Sequence, residues 1–167
     1  MTSIKQKQCE EGGRKENKCM GAIKARAIIY HPSVCSACGV CEVVCSLSRE
    51  GRVGPSLARS NIIQDACTAK HRHLICIQCD NPACYLACPS RDKALCIDRA
   101  TGVTYIDEDE CDGCGLCVDA CPFDPSRIKL NADKKIAFKC DLCKGRKEGP
   151  LCVEYCPFQA LTFSKNG

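Results

Sequence analysis

The sequence predicts an α+β fold of short strands and short helices, in which one local unit is repeated four times. Cysteine makes up 20 of the 167 residues, far above average usage, whereas Trp is absent and Phe and Tyr together number eight. Sixteen of the cysteines fall into four blocks of four, each preceded by a short apolar run. The scarcity of large aromatic side chains indicates that something other than side chains fills part of the interior.

The four cysteine blocks share one spacing. Each opens with C-x2-C and closes with C-x3-C, and only the middle spacing varies, being two, four, two and eight residues. Proline follows the last cysteine of every block except the first, where Ser46 takes its place. The blocks are residues 35–45, 76–88, 111–121 and 140–156. The cysteines outside them are Cys9, Cys19, Cys67 and Cys96.

Each block is expected to carry the same local structure. The segment from its third to its fourth cysteine fits about one helical turn, because residues i and i+4 share a helix face. Where proline follows, it ends that turn. The predicted unit is therefore a strand, a binding loop and a short helix, repeated four times. The predicted strands, including one after the last block, are residues 27–30, 74–75, 103–106, 135–138 and 160–163.

The cysteine spacing is typical of iron–sulfur ligation. A [4Fe–4S] cubane takes one thiolate per iron, and in two-cluster ferredoxins the fourth cysteine, just before proline, ligates the other cluster. Zinc is the alternative for any C-x2-C pair, but zinc ribbons use two well-separated pairs. Here the first and third blocks each hold four thiols within eleven residues. Sixteen thiols in four complete blocks therefore predict four [4Fe–4S] clusters.

Export and membrane signals are not visible in the sequence. No stretch approaches the roughly 18 apolar residues that cross a bilayer, and the charged N-terminus has neither an apolar core nor twin arginines. A cytoplasmic location is expected, where thiols stay reduced. The formal net charge of +4 counts those thiols as neutral. Four oxidised clusters of about −2 each would make it roughly −4, so a nucleic-acid partner is not predicted.

The order of the four blocks resembles the four-cluster ferredoxin-type electron-transfer subunits of molybdenum and tungsten oxidoreductases, the family of the dimethyl sulfoxide reductase iron–sulfur subunit. The resemblance covers about residues 27–163, and its most specific parts are CIQCDNPACYLACP and the eight-residue gap of the fourth block. The segment CEVVCSLSREGRVGPSLARSNI resembles the branch that serves tungsten aldehyde oxidoreductase-type enzymes, including tungsten benzoyl-CoA reductase. The family implies two pseudo-symmetric modules, each with a bacterial-ferredoxin-like βαβ fold around [4Fe–4S] clusters.

The resemblance also implies how the blocks pair. Spacing alone leaves open a tandem arrangement, in which the first block pairs with the second, and a crossed arrangement. It pairs the first block with the fourth and the second with the third, and the last cysteine of each block crosses to the sister cluster. The implied iron-ligand sets are Cys35, Cys38, Cys41 with Cys156; Cys140, Cys143, Cys152 with Cys45; Cys76, Cys79, Cys84 with Cys121; and Cys111, Cys114, Cys117 with Cys88.

The same resemblance divides the chain into segments. They are a polar arm at 1–26, a four-cluster polyferredoxin domain at 27–163 and a tail at 164–167. Within the domain, the inner module is expected at about 72–125, and the outer module at about 27–50 plus 126–163.

No catalytic residues are predicted, because the sequence has no Ser/His/Asp pattern, no P-loop and no open metal site. The resemblance implies a non-catalytic subunit that relays electrons to or from a larger catalytic tungsten or molybdenum subunit, with a flavin or ferredoxin as a further electron partner. Because accessible cubanes are easily oxidised, an anaerobic setting is expected. The alternatives are a free polyferredoxin shuttle, a hydrogenase or formate dehydrogenase electron-transfer subunit, and a zinc-stabilised scaffold.

Several residues outside the ligand sets receive structural interpretations. His71 and His73 are expected at the surface or facing a partner, because every cluster is complete without them. Cys67 and Cys96 are expected to be small buried fillers. Four basic residues either raise the potentials of nearby clusters or are solvated loop residues, and the sequence leaves both interpretations open. They are Lys139, Lys144, Arg146 and Lys147.

Overall fold

Short strands and helices alternate along the chain, as the predicted α+β class requires. The computed structural model describes residues 26–164, and these form eight strands and four helices. None of the helices in this part is long and apolar enough to span a bilayer. The strands are β1 Ala27–Tyr30, β2 Asn61–Ile63, β3 Arg72–Leu74, β4 Leu95–Ile97, β5 Thr104–Ile106, β6 Ile128–Asn131, β7 Ile136–Lys139 and β8 Leu161–Ser164. The helices are α1 Val40–Glu50, α2 Ala83–Ala87, α3 Leu116–Asp119 and α4 Leu151–Glu154.

The strands of the described chain pair in four separate two-stranded antiparallel sheets. β1 pairs with β8, with Ile28 opposite Phe163, and so joins the two ends of the described chain. The other sheets, β2–β3, β4–β5 and β6–β7, join strands that follow each other in sequence. Because an isolated two-stranded sheet is marginally stable in water, each sheet depends on what packs against it.

Five strands, β1, β3, β5, β7 and β8, lie within two residues of their predicted positions. The strands β2, β4 and β6 were not predicted. Their sequences, NII, LCI and IKLN, come after the first three blocks, whereas every predicted strand but the last precedes a block. Each pairs with a predicted strand, so it is this pairing, rather than a local sequence pattern, that makes these residues form strands.

Helix α1 is longer than the single turn predicted between the third and fourth cysteines. It has 11 residues, whereas α2, α3 and α4 have 5, 4 and 4. The cause is Ser46, which stands where the other blocks have proline. The helix continues through it, with the Ser46 hydroxyl donating to the Glu42 carbonyl at 2.8 Å. Gly51, at φ +66°, then ends the helix and donates to the Leu47 carbonyl.

Helix contacts join blocks that are distant in sequence. Helix α1 packs against α4, and α2 packs against α3. Two apolar clusters lie around these pairs, and cysteines contribute to both. The first cluster contains Ile28, Cys41, Ile75, Val103, Cys140, Leu142, Cys152 and Leu161. The second contains Leu95, Cys117, Ile128 and Ala137.

Candidate metal centres

Three cavities are each lined by four cysteines from two different blocks. In each, three cysteines of one block meet the last cysteine of another, which is the grouping that the crossed pairing implies. Their role as iron ligands stays a prediction. The Cys35 site contains Cys35, Cys38, Cys41 and Cys156. The Cys76 site contains Cys76, Cys79, Cys84 and Cys121. The Cys111 site contains Cys111, Cys114, Cys117 and Cys88.

The remaining block cysteines form a fourth group, the Cys140 site, which contains Cys140, Cys143, Cys152 and Cys45. Cys140 and Cys152 are only 8% and 6% exposed. Burial is the largest cause that raises the pKa of Cys152, and negative charge on Cys143 and Cys45 raises it further. Burial is also the largest cause that raises the pKa of Cys140, and charge on Cys152 raises it further. The charges of these four thiols therefore interact, and two of the four, Cys140 and Cys152, are buried.

Charge interactions between thiols link the four sites in one order, which we call the row. Thiols of neighbouring sites are close enough for their charges to interact, although burial affects their pKa values more strongly. The order along the molecule is therefore the Cys35, Cys140, Cys76 and Cys111 sites. The interacting pairs that define this order are Cys41 with Cys152, Cys76 with Cys140, and Cys84 with Cys117.

Backbone N–H groups donate to six of the candidate ligand sulfurs. Such bonds favour the thiolate, and hydrogen bonds to the sulfurs help to set the reduction potential of a bound cluster. Sequence reasoning missed three of the donors, Arg59, Arg127 and Ala137, because they lie 14, 6 and 26 residues from their acceptors and share no spacing. The bonds are Ala37 to Cys35 at 3.4 Å, Arg59 to Cys45 at 3.2 Å, Arg127 to Cys121 at 3.3 Å, Ala137 to Cys111 at 3.4 Å, Leu142 to Cys140 at 3.4 Å and Ala160 to Cys156 at 3.2 Å.

Most of the shifted thiol pKa values are raised, because burial disfavours the charged form. Burial is the largest cause that raises the pKa of Cys41 to about 12 and that of Cys117 to about 11. The pKa of Cys121 is lowered instead, since hydrogen bonds, including those from the Arg127 and Phe123 backbone, outweigh its burial. Buried thiolates need positive charge beside them. An iron–sulfur core supplies that charge and displaces the thiol protons, so this donor set fits the group.

The thiols of the Cys35, Cys76 and Cys111 sites surround a space rather than converge on a point. Among residues 26–164, no three His, Cys, Asp or Glu side chains come close enough together to bind one metal ion. A zinc ion holds its ligand atoms within about 2.0–2.3 Å of itself. A cubane spaces its four thiolates more widely, because each of them binds a different iron.

The Cys111 loop passes so close to the start of β7 that only glycine fits at position 113. Gly113 has φ +69°, and a Cβ there would lie 2.0 Å from the Lys135 carbonyl oxygen. Two residues beyond Lys135, the Ala137 N–H donates to the Cys111 sulfur. The close approach therefore helps to place a candidate ligand.

We expect Gly113→Ala to destabilise the protein by about 2–3 kcal/mol, because it combines a strained backbone with a clash against a carbonyl. It should also lower the iron bound per chain, measured together with the melting temperature. Gly51→Ala is the matched control, since Gly51 has φ +66° with nothing within 4 Å of an added Cβ. That variant should show only the conformational cost of about 1 kcal/mol. Equal losses in the two variants would contradict the role of the close approach.

The prediction that His73 lies at the surface is wrong. His73 is 9% exposed, and its ring centroid lies 5.6 Å from that of Tyr30. Neither ring nitrogen has a hydrogen-bond partner in the described chain. Burial is the main cause that lowers the pKa of His73 to about 4, and the Arg127 charge adds to it. The reason is register, because β3 alternates its side chains and turns His73 inward. His71 is partly buried and accepts a hydrogen bond from the Asp65 N–H.

The cysteines outside the blocks differ from one another. Cys67 is exposed, so the prediction that it is a buried filler is wrong. Cys96 is partly buried, and its thiol donates to the Lys93 carbonyl at 3.0 Å. Cys9 and Cys19 lie outside the described residues, as does nearly all of the predicted polar arm.

Comparison with known proteins identifies the family. The family model described as a 4Fe-4S dicluster domain matches residues 67–166, which are more than half of the chain. The chain belongs to the 4Fe-4S dicluster domain family. This membership confirms the prediction of [4Fe–4S] clusters, while their number stays a prediction.

Relatives extend the match beyond that domain. The aliphatic sulfonate oxidoreductase, polyferredoxin-like subunit, of Pyrococcus furiosus is 40% identical over 129 residues, covering 77% of this chain and 70% of that protein. Electron transport protein HydN of Escherichia coli K12 is 32% identical over 154 residues, covering 81% and 86%. The probable anaerobic dimethyl sulfoxide reductase chain YnfG of the same strain is 34% identical over 148 residues, covering 78% and 69%.

Among solved structures, the BamBC active site complex of benzoyl-CoA reductase with bound benzoyl-CoA matches with a TM-score of 0.49 and 23% identity. The match covers 84% of this chain and 79% of that one. The family and the named relatives together place this 4Fe-4S dicluster protein among the iron–sulfur electron-transport subunits of oxidoreductase complexes.

Proposed function

We propose that this chain relays single electrons through four [4Fe–4S] clusters to or from a larger catalytic subunit. That subunit would hold tungsten or molybdenum and be of the aldehyde oxidoreductase or benzoyl-CoA reductase type. When bound, each cluster supplies one-electron oxidation and reduction. The crossed ligand sets given above would hold the clusters in two modules, and the chain itself would carry no catalytic residue. The row of four cysteine sites is the observation that carries this proposal.

Exposure along the row supports a relay with two ends. Cys38 and Cys114 are the exposed members of the sixteen block cysteines, and they belong to the two terminal sites. The second site in the row contains the deeply buried Cys140 and Cys152. Electrons would therefore enter at one terminal site and leave at the other, and the cysteines of the two middle sites are buried or half-buried.

The type of partner is proposed from the first block and the relatives. The segment CEVVCSLSREGRVGPSLARSNI resembles the tungsten branch, and the relative from Pyrococcus furiosus is named as the subunit of an oxidoreductase. A free shuttle in the cytoplasm is the second candidate, because HydN and the related YsaA are named electron transport proteins rather than subunits.

Anaerobic purification of the tagged chain from its native host tests the proposal, with metal and sulfide analysis of the product. We expect about sixteen iron and sixteen sulfide per chain, because each of four cubanes holds four of each. We also expect a larger co-purifying protein that contains tungsten or molybdenum. About four zinc with negligible iron would overturn the relay. A lone iron-replete monomer would exclude the subunit role and leave the shuttle.

A further inference from the structure

Lys139 is a buried cation at the edge of the Cys76 site. It is 5% exposed, although lysine is almost never this buried without a charged partner. Its side chain lines the same cavity as the four cysteines of that site. The ammonium group donates to the Thr104 carbonyl, and no carboxylate among residues 26–164 forms an ion pair with it.

A buried polar network holds Lys139 in this position. Its acceptor Thr104 is buried, and the Thr104 N–H donates to the Gln78 side-chain oxygen at 2.9 Å. The Gln78 amide nitrogen donates in turn to the Cys140 carbonyl at 2.9 Å. The network therefore joins β5, β7 and the Cys76 loop at the junction between the Cys76 and Cys140 sites.

The Lys139 charge acts on two thiols of the site itself. Burial is the largest cause that raises the pKa of Cys79 and of Cys84, and the charge of Lys139 opposes the rise at both sulfurs. A buried ammonium group without a counter-charge is unfavourable. A [4Fe–4S] core with four thiolates carries about −2 and would supply that counter-charge.

We propose that Lys139 raises the reduction potential of the cluster in the Cys76 site and so makes this inner position of the row easier to reduce. The inference rests on the proposed function only in requiring a [4Fe–4S] cluster at this site. On reduction, one electron enters from a reduced neighbouring [4Fe–4S] cluster, which is oxidised by one electron, and the charge of the receiving cluster with its thiolates changes from about −2 to about −3. No bond forms or breaks and no proton moves. A fixed positive charge in a poorly solvated place stabilises the reduced form more than the oxidised form, because the reduced form is more negative.

The other basic residues near the last block lack this position. Lys144, Arg146 and Lys147 are exposed. The Lys144 ammonium lies 3.7 Å from the centroid of the Tyr105 ring, and Arg146 pairs with Glu154 at 2.5 Å. Water and salt screen exposed charges, so these residues should have little effect on any cluster.

The test is a redox titration of the full, iron-replete chain, followed by electron paramagnetic resonance under anaerobic conditions. In Lys139→Met, the equilibrium constant for reducing one cluster should fall by about tenfold, or about 59 mV for a one-electron couple. Lys139→Arg keeps the charge and should stay within about threefold of the parent. Lys144→Met is the matched surface control and should leave all four couples unchanged.

Unchanged couples in an iron-replete Lys139→Met protein would overturn the inference. If Lys139→Met instead loses iron, Lys139→Arg and Lys139→Gln are used to test the inference. Iron retention and parental potentials in the arginine variant support a role for the charge. Iron loss in the arginine variant as well, or an iron-replete glutamine variant with unchanged couples, overturns it. Failure of the proposed function would be seen separately, as zinc in place of iron in the parent chain.

Discussion

Removal of iron is expected to unfold the described part of the chain almost completely. Its strands are three or four residues long and form isolated two-stranded sheets, which are marginal in water. Three of the four helices have only four or five residues, far below the length at which an isolated helix is stable. Local structure therefore cannot hold this fold together.

The apolar clusters cannot compensate, because both contain candidate ligand cysteines. Cys41, Cys140 and Cys152 belong to the first cluster, and Cys117 lies in the second. Domains of this size are stable by about 5–15 kcal/mol. The binding of one structural metal group can contribute about 10 kcal/mol or more to folding. Loss of four such groups would thus exceed the whole stability.

Far-UV circular dichroism of the chain, chelated anaerobically in the presence of a thiol reductant, measures this effect. The signal of ordered structure should disappear and should return when iron and sulfide are restored. The reductant alone, without chelator, is the control and should leave the spectrum unchanged. A native-like spectrum in iron-free protein would show that the polypeptide core is sufficient.

Pairing of the blocks can be tested by combining substitutions. If Cys35 and Cys156 bind the same cluster, Cys35→Ala and Cys156→Ala should each remove one cluster, about four iron per chain. The double variant should then lose no more than either single variant. In the tandem arrangement these cysteines belong to different clusters, and the double variant would lose about eight iron.

Cys45 and Cys156 provide the complementary pair. In the crossed arrangement Cys45 belongs to the Cys140 site and Cys156 to the Cys35 site, so their losses should add to about eight iron. Cys67→Ala and Cys96→Ala are matched controls from outside the blocks and should retain all iron. Iron loss in either control would mean that the ligand sets are assigned wrongly.

The sequence by itself predicted the chemistry of this protein, because three of the four candidate ligands of each site lie within one block. C-x2-C spacing is a local property, and so are the prolines that end α2, α3 and α4 after one turn. Even the extension of α1 follows from a local feature, Ser46. The short strands next to the blocks were likewise visible as apolar runs within two residues of their observed positions.

Only the tertiary structure decided which distant groups surround each site. The contact of Cys156 with the Cys35 cavity depends on β1 pairing with β8 across the length of the described chain. The inward turn of His73 depends on the pairing of β3 with β2. Lys139 is buried, unlike its basic neighbours, and its hydrogen-bond acceptor Thr104 lies 35 residues away in sequence. Burial and counter-charge depend on residues that are remote in sequence, so the spacing of residues along the chain does not predict them.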